Sequence, residues 1–268
     1  MHIHFLDPYK PRPSLVHELD PRIKFILTVA FILTTALTPP AAWPAYTLLL
    51  AVVWAVAMLS ELGLPFILKR SLIAVPFVLA AFPIIFTMEG PTLFSFNIGA
   101  WTISLSQTGL ERFISIALKS WISVQAAIIL AASTPFPELL QAMRAVKIPR
   151  LLVAIFGLMW RYLFVLADEA LRLLRARSAR SGYGDPAREK SGGSVVWRAR
   201  VAGGMAGSLL LRGIERSDRI YNAMLARGYD GEVRAIPLPA MRMNHWLVLF
   251  IGLIILLILL TLSYIIFA

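Results

Sequence analysis

The stretch WLVLFIGLIILLILLTLSYIIFA, Trp246 to Ala268, carries no Asp, Glu, Lys or Arg. At about 1.5 Å of rise per residue, a helix of this length crosses the roughly 30 Å hydrocarbon core of a bilayer. It is predicted to span a membrane. Composition agrees: 58% of the 268 residues are hydrophobic and 15% charged, against about a quarter charged in soluble domains. The mean hydropathy is +0.73.

Four more runs of this kind precede it. The first begins after Leu19-Asp20-Pro21-Arg22 and covers Ile23 to Thr38. Asp20 can cap its start by accepting free backbone N–H groups, Pro21 suits a first helical turn, and Pro39-Pro40 stops the helix. The others are predicted at 43–60, at 71–88 with Pro76 and Pro83 inside, and at 113–133. Bilayer helices tolerate such prolines better than soluble ones. The expected class is an all-α membrane protein with about five transmembrane helices plus cytoplasmic or interfacial helices. Met1 to Arg22 is polar and proline-rich with no apolar core, which is unlike a cleaved signal peptide.

Cation placement orients the chain. No Lys or Arg lies between Lys24 and Lys69, nor between Arg70 and Arg112. The turn at Pro39 to Pro44 and the loop Glu89 to Gln107 are therefore expected outside, and the N-terminus in the cytoplasm of a cell membrane. The stretch Pro135 to His245 departs from the pattern. It supplies +9 of the net charge of +11. Three regions follow: 1–134, four spans with a cytoplasmic arm; 135–245, a cytoplasmic module; and 246–268, the final span. In a membrane protein a basic cytoplasmic face is expected, so the charge does not call for nucleic acid.

Within the module, Ser133-Thr134-Pro135 is expected to cap a short amphipathic helix. Its apolar residues Phe136, Leu139, Leu140, Met143 and Val146 recur at helical spacing, and Pro149 ends it. Leu151 to Ala167 is apolar but interrupted by Arg161, and no cation-poor loop follows it. It is predicted to open one long helix reaching about Arg180 and not to cross. A Ser/Gly/charged link, about 182–194, leads to a second helix at about 197–227. The two echo each other at an offset of 47 residues. Ala179-Arg180-Ser181-Gly182-Tyr183 resembles Ala226-Arg227-Gly228-Tyr229, and Asp168 and Arg172 match Glu215 and Arg219. Each acid–arginine pair is spaced i, i+4, as an exposed ion pair along one helix would be.

Catalytic chemistry finds few residues to use. There is no cysteine and no Gly-Lys-Ser or Gly-Lys-Thr, so thiolate sites and a phosphate-binding loop are excluded. Glu61, Glu89 and Glu111 sit at span edges, and the spans hold no carboxylate relay. His2 and His4 alternate at the terminus without a third ligand. Gly203-Gly204-Met205-Ala206-Gly207 suits close helix packing. Lys119, two turns into the fourth span, reads as a snorkelling side chain or as a substrate contact. No enzyme, cofactor or bound metal is expected. The two arginine-ended helices fit either ordinary C-capping or docking onto a duplicated partner.

These features together resemble the transmembrane T component of energy-coupling factor (ECF) transporters, on the cobalt-type CbiQ branch. The residues that carry the resemblance are Leu19-Asp20-Pro21-Arg22-Ile23-Lys24, Thr134-Pro135-Phe136-Pro137-Glu138-Leu139-Leu140, Trp160-Arg161-Tyr162-Leu163-Phe164 with Asp168-Glu169-Ala170, and Ala226-Arg227-Gly228-Tyr229-Asp230-Gly231. The family's first signature is usually Ala-Arg-Gly; here Ala179-Arg180-Ser181 stands in its place, with Ala176-Arg177-Ser178 as a tandem candidate. The resemblance implies two ABC-type ATPases docked at Ala179, Arg180, Ser181 and at Ala226, Arg227, Gly228. It also implies a separate membrane protein that captures the substrate, a transition-metal ion such as cobalt or nickel. The competing reading is a self-sufficient permease with a path lined by Lys119, Ser123 and Gln125, although such transporters tend to carry inverted repeats.

Overall fold

The computed structural model describes residues 8–98, 101–180, 194–231, 241 and 243–267. A single-turn α1 (Leu15–Glu18) precedes α2 (Pro21–Leu37). Asp20 caps α2 by accepting from the Arg22 N–H at 2.8 Å, with Pro21 in the first turn, and the helix ends before Pro39-Pro40 as expected. Next come α3 (Trp43–Leu59), α4 (Leu64–Ser71), a 3₁₀ turn (Leu72–Ala74), α5 (Val75–Ala80) and α6 (Ile84–Thr87). The expected third span is thus built in pieces. Pro76, in the first turn of α5, and Pro83, before α6, each lack the N–H that would continue the ladder.

The loop expected at 89–107 holds a feature that sequence reasoning missed. β1 (Thr92–Ile98) and β2 (Trp101–Ser106) pair antiparallel, with Ile98 opposite Trp101 and Phe94 opposite Leu105. The remaining elements are α7 (Gln107–Ser133), α8 (Phe136–Ala145), α9 (Arg150–Arg180), α10 (Val195–Leu225) and α11 (Met243–Phe267). The helical membrane class therefore holds, with one small hairpin added to it.

By length and apolarity, 64–87, 107–133, 150–180 and 243–267 can each cross a bilayer, and Trp43–Leu59 is a shorter apolar helix. Three of these four coincide with expected spans, and the fourth is α9, which was expected not to cross. Helices α2 and α3, 17 residues each, stand where the other two spans were expected and are shorter than these four. Contacts divide the chain into two compact units, Pro8–Val146 with Pro237–Ala268, and Lys147–Ile236. The amphipathic helix α8 falls in the first unit, where it packs against α2. Thr134 does not cap α8, contrary to expectation. Pro135 holds the N-cap position without a side-chain bond, and the buried Thr134 hydroxyl finds no protein partner.

The first unit closes around Phe31, Tyr46, Leu49, Ile122, Ile129 and Leu256, contributed by α2, α3, α7 and α11. Several polar groups inside it bond to backbone. Thr34, Thr35 and Thr38 return their hydroxyls to the carbonyl four residues back, at 2.8–2.9 Å. Helices α2 and α7 run antiparallel and are tied at both ends. At one end buried Lys24 donates to the Ser133 carbonyl at 3.1 Å, and the Lys10 N–H donates to the Ala132 carbonyl at 3.0 Å. At the other, Lys119 donates to the Ala36 carbonyl at 3.1 Å and to the Thr38 carbonyl, the Tyr264 hydroxyl donates to the Leu37 carbonyl at 3.0 Å, and the Ala41 N–H donates to the Ser115 hydroxyl at 3.1 Å. The last carbonyls of a helix have no partner within it, so α2 takes its partners from α7 and α11. Gly109 lets the start of α7 lie against α6: a Cβ there would meet the Ile85 carbonyl oxygen at 2.8 Å.

Candidate functional site: two arginine-ended helices

The second unit is built on α9 and α10, 31 residues each. In α9 the motif Trp160-Arg161-Tyr162-Leu163-Phe164 places Trp160 edge-on to Phe164, one turn apart, with ring centroids 5.0 Å from each other. Buried side chains in this helix are few: Val153, Ala154 and Glu169. None of α10 is buried. The glycines of Gly203-Gly204-Met205-Ala206-Gly207 do not serve a close packing within the chain, because a Cβ at 203, 204 or 207 would meet no heavy atom within 4 Å.

The two helices meet at Glu169. Its Oε2 accepts from Arg216 Nη2 at 3.0 Å and its Oε1 from Arg212 Nη1 at 3.3 Å. Beside these bonds Gly213 faces the Leu166 side chain. The hydrogen bond from Arg212 and the charge of Arg216 hold the Glu169 carboxyl below the usual carboxylate range. The expected pairs along each helix are not formed: among the described residues no ion pair joins Asp168 to Arg172 or Glu215 to Arg219. The acid that matters is the neighbouring one. Nothing in single-helix spacing singles out Glu169, since its partners lie 43 and 47 residues away.

At the end of α10, Ala226-Arg227-Gly228-Tyr229 folds as a Schellman cap. The Tyr229 N–H donates to the Met224 carbonyl at 3.1 Å and the Gly228 N–H to the Leu225 carbonyl at 2.9 Å. Gly228 has φ +78°, the left-handed region that a side chain would resist. Arg227 therefore occupies the cap position itself, with its backbone fixed on both sides and its side chain exposed. In α9, Ala179 and Arg180 form the last residues of the helix and both are exposed. Arg177, one turn back, is partly covered. Ser181, Gly182, His2 and His4 lie outside the described residues.

The sequence pattern of a family described as cobalt transport protein, CbiQ, matches residues 13–238. That range includes every motif on which the resemblance rests. The chain belongs to the CbiQ family.

Relatives of this CbiQ-family chain come from bacteria and archaea. An uncharacterised protein of Methanocaldococcus jannaschii is 27% identical over 237 residues, covering 87% of this chain and 77% of its own length. A cobalt transport protein CbiQ of Rhodobacter capsulatus is 28% identical over 157 residues, 59% of this chain and 61% of that protein. An energy-coupling factor transporter transmembrane protein, EcfT, of Ruminiclostridium cellulolyticum is 25% identical over 253 residues, 91% of this chain and 90% of that protein. The resemblance to ECF transmembrane components thus extends over nearly the whole chain, and the protein is a membrane component of a transporter family.

Two of the three residues of the competing permease reading, Lys119 and Gln125, are engaged elsewhere. Lys119 is spent on the end of α2. Gln125 is fully buried and accepts from the Trp54 indole N–H at 3.2 Å. Among the described residues no group of three or more His, Asp or Glu side chains could hold a metal ion.

Proposed function

We propose that this chain is the transmembrane scaffold of an ECF-type ABC importer in the cell membrane, with its N-terminus in the cytoplasm. On this reading α9 and α10 are coupling helices in the cytoplasm, and each presents one arginine to one of two ABC-type ATPases. Arg180 and Arg227 are the anchors, with Ala179, Ser181, Ala226 and Gly228 beside them. The ATPase motion passes through these helices to a separate membrane protein that captures the substrate, which then releases it inward. The relatives named as cobalt transport proteins make cobalt the first ion to try, with nickel next. The chain itself needs no cofactor for this role.

One observation carries the reading: two helices joined at a charged contact each end in an exposed arginine, and one of these is fixed by a Schellman cap. An arginine held on a rigid end, with five donors and a permanent charge, suits a groove in a partner protein. The pieces of α4 to α6 and the hairpin then belong to the membrane part, which anchors the coupling helices and receives the capture protein. Co-expression with candidate ATPases and capture proteins, followed by reconstitution, tests the proposal. Two ATPases should co-purify and ATP should drive uptake of the metal ion. The chain alone should neither bind nor hydrolyse ATP. Uptake by the chain in the absence of ATPases would establish the permease reading in its place.

A further inference from the structure

Asp168-Glu169-Ala170 is part of the family motif, yet the docking described above makes no use of it. We propose that Glu169, Arg212 and Arg216 form a pivot, a charged clamp that fixes the point at which α9 and α10 cross and about which their ends turn. Its role in transport rests on the docking reading, but its geometry does not depend on any partner.

Among the described residues no apolar side chain of α10 is buried, and on α9 only Val153 and Ala154 near its start are. Glu169 is only 9% exposed although its neighbours Asp168 and Arg172 are exposed, and Arg216 is half-buried against it while Arg212 reaches it from solvent. Arg212 and Arg216 lie one turn apart on the same face of α10, and each takes a different oxygen of the one carboxylate. A guanidinium donates through a fork of five N–H groups, so two of them gripping one carboxylate from adjacent turns can keep at least one bond as the helices rotate. Arg216 Nη1 is enclosed and has no protein partner, which leaves a donor free to take over during such a turn. An apolar ridge would lock into one groove; this contact can swivel.

Measured from Arg216, the nearer of the two clamp arginines to the end of α10, the lever arms match. Eleven residues separate Glu169 from Arg180 on α9, and eleven separate Arg216 from Arg227 on α10. At about 1.5 Å per residue each arginine stands roughly 16 Å from the clamp. A change of about 10° at the crossing moves each end by roughly 3 Å on arms of that length. The same turn is delivered to both docking sites, as a pair of identical or homologous ATPases closing together would require. An ion pair left in solvent would contribute little. What separates a pivot from such a pair is its effect on the distance between the ends.

The chain has no native cysteine, so labels can be placed without background. In the full chain in lipid nanodiscs, spin labels on Ala179→Cys and Ala226→Cys report that distance by pulsed electron paramagnetic resonance. One narrow distribution is expected with Glu169 intact, and a broad one with Glu169→Gln. In the assembled transporter, Glu169→Gln should retain both ATPases and hydrolyse ATP within about twofold of the parent, while uptake per ATP falls at least tenfold. Joining Glu169→Cys to Arg216→Cys with a short bismaleimide replaces the clamp by a covalent one. Uptake should return to more than half of the parent value, whereas the unjoined pair should behave like Glu169→Gln. A narrow distribution in Glu169→Gln with normal uptake would overturn the pivot, as would a joined pair that stays uncoupled. Should Glu169→Gln not fold, Arg212→Gln with Arg216→Gln, which removes the donors and keeps the carboxylate, takes its place, and a narrow distribution with normal uptake there would overturn the pivot. Loss of ATPase docking in the parent would defeat the docking reading and leave the distance measurement standing.

Discussion

Replacing Lys119 by methionine separates a structural lysine from a substrate-contacting one. The side chain lies on α7 and donates to the Ala36 and Thr38 carbonyls at the end of α2. Methionine keeps most of the stem and removes the donors. A hydrogen bond from a charged group contributes about 1.5–3 kcal/mol net, and a buried acceptor left alone costs about 1–3 kcal/mol. Lys119 is partly exposed and water can reach part of the site, so the lower ends apply and the loss is about 2–3 kcal/mol. For a chain of this size each kcal/mol lowers Tm by about 2–4 °C, which gives a fall of roughly 4–12 °C. Thermal unfolding in detergent, followed by Trp fluorescence, measures it. Uptake per folded molecule should be unchanged in the assembled transporter. An unaltered Tm combined with lost uptake would refute the capping role and revive a substrate path through α7.

Three further outcomes are expected. Reporters fused in the 140s and near Lys190 should both be cytoplasmic, because α9 is read as a coupling helix despite its span-like length; a reporter found outside at Lys190 would make α9 a crossing. Since the carboxyl of Glu169 titrates below its ordinary value in the folded chain, its contribution is complete above the usual Glu value of about 4.3 and is lost as pH falls further. The distance between the labelled helix ends should therefore stay narrow from pH 7 to about 4.3 and broaden only below it, and broadening near pH 6 would point to another group. Lys147 ends α8 with φ +63°, a conformation costing a side-chain-bearing residue about 1 kcal/mol, so Lys147→Gly should hold or slightly raise Tm; a marked fall would mean that the lysine side chain holds the junction.

Much of this architecture is written locally. Asp20-Pro21 and Pro39-Pro40 fix both ends of α2 because caps and stops depend on adjacent residues. Trp246 to Ala268 reads as a span because apolarity alone decides it, and α11 follows it closely. The Ala226-Arg227-Gly228 signature is legible for the same reason, since one glycine sets the Schellman geometry. What was not legible depends on contacts across the fold. The alternation Trp101-Thr102-Ile103-Ser104-Leu105-Ser106 has the period of a strand, but it lay in a loop identified only by its lack of cations. Asp168 and Glu169 are equally acidic in the sequence. Only the approach of α10 decides that Glu169 makes the bonds and Asp168 faces solvent. Lys119 could not be assigned because its acceptors lie more than 80 residues away.

The docking of Arg180 and Arg227 is the central claim, and one measurement bears on it directly: the number of ATPase subunits that co-purify with Arg180→Glu, Arg227→Glu and the double variant. Both side chains are exposed, and an arginine at a helix end contributes about 0.3–1 kcal/mol to folding through the helix dipole, so the membrane part should purify normally. Seated in a partner's groove, each would make a desolvated charge contact whose loss costs about 2–5 kcal/mol of binding, or 30-fold and more in affinity. Each single variant should release one ATPase and the double variant both, with uptake abolished, while Arg177→Glu changes little. If Arg177→Glu releases an ATPase and Arg180→Glu does not, the first anchor is Arg177. If the double variant retains both ATPases and drives uptake normally, the arginines only cap their helices and the docking account is wrong.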